Sequence, residues 1–433
     1  MSKKLFESFS SLSYDDWKSA VEKELKGNSF EDTLEVNDPI ENIKFSKFSD
    51  TSTDSDSELS YHRAHKSQNN DWGIRHTIIV KDEKVANKEA IHVLELGCSS
   101  LVFQLAKRNI SFGLLFEHIE LNYIESRIIA IDTEQQEELA KEWSKYSIKN
   151  LICKVDDFNS DFTFHYKKPN TALLINAYGV HQSGANASQE LAFSLSVGNE
   201  YLHRLIAAGN KIDDIAPYLK FEFGIGSNYF VEISKFRVFR KLWSNIVAQY
   251  KPIENCTHAA HVTAKTGFIN KSIKDPYTNL LRQTTEAMSA VIGGVNELEI
   301  QPYDKYSTVK NRDLSLRMAV NISHILKEES YLSHVVDPMG GSHSIQNIGE
   351  ALAKQTWDLF LNLEKAGGIS SPEAKKLLHE KIDQTKKVRI EQHLEKKKTL
   401  IGVNKFDNPK PEPGEWLNLP EYKGHEALIL EKL

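Results

Sequence analysis

Cysteine is scarce: Cys98, Cys153 and Cys256 are the three among 433 residues. Their number and wide spacing exclude a disulfide framework or a cysteine-ligated zinc site and suit reduced thiols in a cytoplasm. No run of about 18 uncharged apolar residues occurs, which excludes a membrane-spanning helix. The two lysines after Met1 have no apolar stretch behind them, so no secretory signal is expected. An excess of basic charge is also missing. The formal net charge is -6 and the basic residues are scattered, so nothing offers nucleic acid an electrostatic footprint. What remains is 40% hydrophobic and 26% charged residues, the profile of a soluble globular protein. The length suits one large domain with appendages, or two to three domains.

The chain opens with an arm. Ser13 is placed to cap a helix whose first turn carries Asp15 and Asp16, and Trp17, Val21 and Leu25 form one apolar stripe before Gly27. Residues 50–60 (DTSTDSDSELS) are almost wholly Ser, Thr, Asp and Glu and read as a solvated linker. Beyond it, short apolar runs suit buried strands at Ile78–Val80, His92–Leu96, Ile128–Ile131, Leu151–Val155, Ala172–Ile175, Leu219–Phe223, Ala260–Thr263 and Leu298–Ile300. Helices are expected between several of them: one capped by Thr133 with Gln136, one over 187–208, one over 228–250, and one opening at Asp275-Pro276. Further helices are expected over 312–328, 349–366 and 372–397. Repeated strand–helix alternation implies a parallel sheet covered by helices, and about eight strands fit a closed (β/α)8 TIM-type barrel. A helical arm precedes the barrel and a helical extension follows it.

No motif of this pattern alone reaches a chemistry. Val93 to Cys98 (VLELGC) is similar to the opening of a methyltransferase's S-adenosylmethionine loop but lacks a second glycine nearby, so a strand ending in a tight turn is expected there. Gly340-Gly341-Ser342 lacks the lysine of a phosphate-binding loop, and Gly293-Gly294 reads as a helix end. His181, His203, His258, His261 and His343 show no ligand spacing, so no metal site is expected.

Four longer stretches go further. They are FGIGSNYFVEISKFR (Phe223 to Arg237) with RKLW (Arg240 to Trp243), DPYTNLLRQTTEAM (Asp275 to Met288), VDPMGGS (Val336 to Ser342) and LIGVNK (Leu400 to Lys405). In this order, they resemble the acyl-CoA mutase family, and methylmalonyl-CoA mutase in particular. The arm, with Trp17 and Leu25-Lys26-Gly27, resembles the N-terminus of the small subunits of heterodimeric mutases, where it wraps the large subunit. Catalytic members use adenosylcobalamin and generate a radical inside a closed barrel, which the protein must shield from solvent.

The departures from that family shape the functional expectation. The family's thioester-binding histidine falls at Gly179 (AYGVHQSGA, Ala177 to Ala185), with His181 two residues on. Gln182 stands for a glutamate that reaches the cofactor. The family's radical-guarding tyrosine falls at Thr77 (WGIRHT, Trp72 to Thr77). Two polar substrate contacts fall at Val262 and Ala264. No Asp-x-His-x-x-Gly cobalt-ligating loop is found, so no cobalamin-binding domain is expected. The resemblance therefore implies a structural, non-catalytic subunit whose larger partner carries adenosylcobalamin. Catalytic, cofactor and metal residues are expected to be absent, with Gly179, Thr77 and Gln182 as degenerate positions. The expected division is 1–60, arm and linker contacting the partner; 61–345, barrel; and 346–433, helices and tail. Two alternatives stay open: an active mutase barrel served by a separate cobalamin subunit, or a free-standing CoA-ester-binding protein.

Overall fold

The computed structural model describes residues 13–48, 69–143, 150–156, 171–411, 413–417 and 427–433. The acidic linker lies outside the described residues. The arm helix, Tyr14–Glu24, forms as expected. Ser13 Oγ accepts from the Asp16 amide at 3.1 Å while Asp16 reaches back to the Ser13 amide, a reciprocal capping box. Lys26 and Gly27, both at positive φ, end it. None of its residues is buried. Trp17 instead stacks on Tyr14, Phe30 and Phe48, with ring centroids 5.4 to 6.0 Å apart. A hairpin of β1 (Glu35–Asp38) and β2 (Ile43–Ser46) leads on, β2 lying against the helix His343–Lys365.

Eight parallel strands then close a barrel: β3 (Gly73–Val80), β4 (Ser100–Leu105), β5 (Glu125–Ile129), β6 (Asn150–Asp156), β7 (Thr171–Asn176), β8 (Leu219–Ile225), β9 (His261–Thr266) and β10 (Glu297–Glu299). β10 pairs with both β9 and β3, so no edge remains free. Outward residues alternate with inward ones. On β8, Phe221 and Phe223 face out and meet Phe239 and Trp243 of the helix Tyr229–Gln249, at centroid distances of 4.7 to 4.8 Å. The helix Ala187–Ala207 passes so close that a Cβ on Gly198 would lie 2.5 Å from Trp243.

Seven of the eight expected strands coincide with observed ones. The expected strand His92–Leu96 is instead the end of a helix, Glu83–Glu95, and the second barrel strand is Ser100–Leu105. Asp82 caps that helix, and Ala86, Ala90 and Val93 bury one helical face. Gly97, at φ 99°, closes it: the Cys98 amide bonds the Val93 carbonyl at 3.0 Å and the Gly97 amide bonds Leu94 at 2.9 Å. This is a Schellman motif, so VLELGC is neither an S-adenosylmethionine loop nor a strand turn. Two starts also shift. Asp132, not Thr133, caps the helix Thr133–Trp143, its carboxylate accepting from the Gln135 amide at 2.9 Å. The helix expected from Asp275-Pro276 begins at Thr278, because the Asn279 amide closes a turn on the Pro276 carbonyl. The helix expected at Gly349 begins earlier, at His343, and with Pro372–Leu394 forms the C-terminal helical extension.

Candidate functional site

In a (β/α)8 barrel the site to inspect is the interior and its C-terminal mouth. Here the described interior side chains form a network of ionised groups. Arg75 on β3 reaches Glu222 on β8, a strand that is not its neighbour, so the pair spans the lumen. The Arg75 Nε also donates to Glu299 on β10 at 2.9 Å. Glu299 further accepts from the Thr77 hydroxyl at 2.7 Å, the Gln301 amide at 2.7 Å and the Lys265 ammonium at 3.2 Å. Nearer the N-terminal end, Arg127 on β5 crosses to Glu297 on β10 at 2.5 Å. Ser100 and Thr263 complete that carboxylate at 2.7 and 2.9 Å.

These charges are deeply placed: the Arg75 and Glu299 side chains are each 2% exposed. Burial alone would raise the Glu299 carboxyl, but Lys265 and Arg75 outweigh it and hold it far below the ordinary glutamate range. Burial likewise opposes ionisation of Glu297, and Arg127 and His261 override it. The lumen is therefore a plug of paired charges. A small cleft beside the mouth, bounded by Lys271, Tyr303, Tyr306 and Trp416, encloses about 10 Å³, room for about one water.

The residues singled out from the sequence fall around this plug. Thr77 is part of it, bonded to Glu299. Gly179 lies in the helix Ala177–Gln182 that follows β7, its amide bonded to Asn176 at 3.3 Å. His181 faces Glu190, 3.5 Å from its carboxylate. It packs on Gly224, where a Cβ would lie 2.3 Å from the ring. Lys235 joins there, 3.0 Å from Glu190, and donates to the Gly224 carbonyl at 2.7 Å, pinning the end of β8. Gln182 is fully buried: its oxygen accepts from the Phe268 amide at 3.1 Å, its nitrogen has no hydrogen-bond partner, and a Cβ on Gly267 would lie 2.4 Å from that nitrogen. The segment Ala427–Leu433 straps over this region, Leu428 bonding the Gln182 carbonyl and Leu430 the Ile269 carbonyl.

One expectation is corrected. Val262 and Ala264 do not face the lumen; the pleat of β9 turns them into the helix-facing core, and His261, Thr263 and Lys265 point inward. Of the five histidines, His261 joins acidic groups: ligand atoms of Glu125, His261 and Glu297 lie within 4.8 Å of one another. Arg127 sits against both carboxylates, at 3.5 and 2.5 Å, so their charge is already met by a guanidinium. Burial, with Lys220 nearby, also holds the His261 ring neutral. The plug itself, Arg75, Arg127, Glu222, Glu297 and Glu299, was missed. Its signal was present: charged residues alternate with apolar ones on strands whose outer face is buried, as in Glu297-Leu298-Glu299.

Comparison with known proteins agrees with the family resemblance of the motifs. The family described as methylmalonyl-CoA mutase matches residues 136–430. A relative named methylmalonyl-CoA mutase small subunit, from Porphyromonas gingivalis, is 31% identical over 96% of this chain and 73% of its own length. Methylmalonyl-CoA mutases of Cereibacter sphaeroides and Escherichia coli are 32% and 34% identical over 60% and 54% of the chain. Of those two proteins the chain spans only 37% and 33%. On the extent of these matches, this chain belongs to the methylmalonyl-CoA mutase family.

Proposed function

We propose that this chain is the structural, non-catalytic small subunit of a heterodimeric methylmalonyl-CoA mutase, a cytoplasmic complex that interconverts methylmalonyl-CoA and succinyl-CoA. The observation that carries the reading is the filled lumen: Arg75, Glu222 and Glu299 occupy the axis along which a barrel enzyme would admit a substrate. Gly179 and Thr77, where the family resemblance expects a histidine and a tyrosine, supply neither an acid nor a phenol.

Adenosylcobalamin serves this family, and its place is on the larger partner subunit. The residues here do not fit it. Gln182, where the resemblance expects a cofactor-facing glutamate, is fully buried and already bonded to Phe268. The partner is a homologue carrying both barrel and cobalamin domain, and residues 1–60 engage it. The arm helix supports this, because its Trp17, Val21 and Leu25 stripe is left partly exposed by the chain's own fold. Residues 61–345 form the mutase-like barrel and 346–433 the supporting helices and tail. Burial at a large obligate interface is the physical contribution of such a subunit. Purified chain alone, given adenosylcobalamin and methylmalonyl-CoA, is expected to form no succinyl-CoA. Turnover by the lone chain would refute the reading.

A further inference from the structure

Residues 427–433 lie across the segments that follow β7 and β9, on the C-terminal side of the barrel. One carboxylate anchors them. Glu431 Oε2 accepts from the Ile273 amide at 3.0 Å and from the Trp416 indole nitrogen at 2.8 Å. Its Oε1 accepts from the Ser272 hydroxyl, and from the Lys274 amide at 3.3 Å. These neutral donors converge on a single carboxylate that is 9% exposed, so the socket is built around its charge. The rest of the attachment is lighter. The Leu428 amide bonds the Gln182 carbonyl at 2.9 Å and the Leu430 amide bonds Ile269 at 3.2 Å. Leu428 and Leu430 pack on Ile269 and Leu400 in a small cluster separate from the main barrel core. Closure also leaves polar groups unmet. Gly267, Gln283 and Trp416 line one cleft, and Gln283 Oε1 has no donor. Gln182 Nε2, which a Cβ on Gly267 would approach to 2.4 Å, has no acceptor. Water admitted by opening would satisfy both, which favours release of the strap.

We propose that residues 427–433 are a latched strap, opening as a unit while the barrel stays folded, with the Glu431 carboxylate as the latch. A satellite cluster joined to its barrel by few backbone bonds is the kind of unit that opens ahead of global unfolding. Opening bares the segments after β7 and β9, frees the Trp416 indole and widens the cleft toward Gln182. No partner or ligand is needed for it.

The test is amide hydrogen exchange on the full chain, comparing Leu428 and Leu430 with the paired amides of β8. In the wild-type chain the strap amides are expected to exchange at least about tenfold faster than those of β8. Glu431→Gln turns an amide nitrogen toward a socket of donors. It should speed the strap amides about tenfold more, the worth of about one charge-assisted hydrogen bond, and leave the β8 amides unchanged. Wild-type strap amides that exchange no faster than β8 would overturn the proposal. So would a Glu431→Gln strap rate equal to the wild-type rate, or β8 amides that speed up as much as the strap, because the carboxylate would then hold the barrel and not a strap.

Discussion

Arg75 Nε and Glu299 Oε2 meet at 2.9 Å inside the barrel, each side chain 2% exposed, and around this pair the lumen closes. Such a pair need not add net stability over an apolar core, but removing one partner strands the other. Glu299→Gln leaves Arg75 and Lys265 short of a carboxylate and should cost about 3 to 5 kcal/mol. The lowered midpoint in urea denaturation checks this. An unchanged midpoint would mean that water reaches the lumen and the plug is open.

The same carboxylates set an acid response. Glu299 and Glu297 are ionised in the fold well below the ordinary glutamate value of 4.5. Their contribution is complete above the unfolded value, about 4.3, and is lost as pH falls through it toward the folded values. His261 acts in a higher window. Its folded pKa lies well below 6.5, so the unfolded chain takes up a proton first and stability falls as pH drops beneath about 6.5. Urea midpoints measured from about pH 8 to about pH 2 should fall in two stages. His261→Asn is expected to flatten the first stage and Glu299→Gln the second.

Packing outside the barrel is as tight as the lumen. A Cβ on Gly198 would lie 2.5 Å from Trp243, which is fully buried against Phe221. Gly198→Ala should destabilise by about 1 to 3 kcal/mol through overpacking. Trp243→Phe in the same chain should recover part of that loss, a coupling readable by a double-mutant cycle.

Much of this architecture was legible in the sequence, because barrel strands buried on the outer face leave apolar runs and their helices leave capping signals. Ser13 and Gly27 bound the arm helix as read. His92–Leu96 was misread because a helix end with three apolar residues looks like a short strand until Gly97 is seen to close it. The plug escaped notice for a different reason. Arg75 and Glu222 lie 147 positions apart, and only barrel closure shows that they share a lumen. Gly179 and Thr77 were identified from family motifs, since a glycine and a threonine announce nothing by themselves.

Reinstating the two missing side chains probes whether they alone separate this chain from an enzyme. Gly179→His with Thr77→Tyr is expected to leave methylmalonyl-CoA turnover undetectable, because Arg75, Glu222 and Glu299 still fill the axis. The tyrosine would also forfeit the 2.7 Å bond from Thr77 to Glu299 and cost about 1 kcal/mol. A coupled succinyl-CoA assay and a thermal melt read the two effects. Measurable turnover would show that the plug does not bar substrate.

The most direct test of the structural-subunit account is recovery of the intact chain from its native lysate, with mass spectrometry and cobalamin assay of what co-elutes. The account predicts a stoichiometric, larger homologue bearing a complete mutase sequence and cobalamin, lost when residues 13–27 are removed. A lone chain, or one accompanied by nothing more than an isolated cobalamin domain, would contradict it.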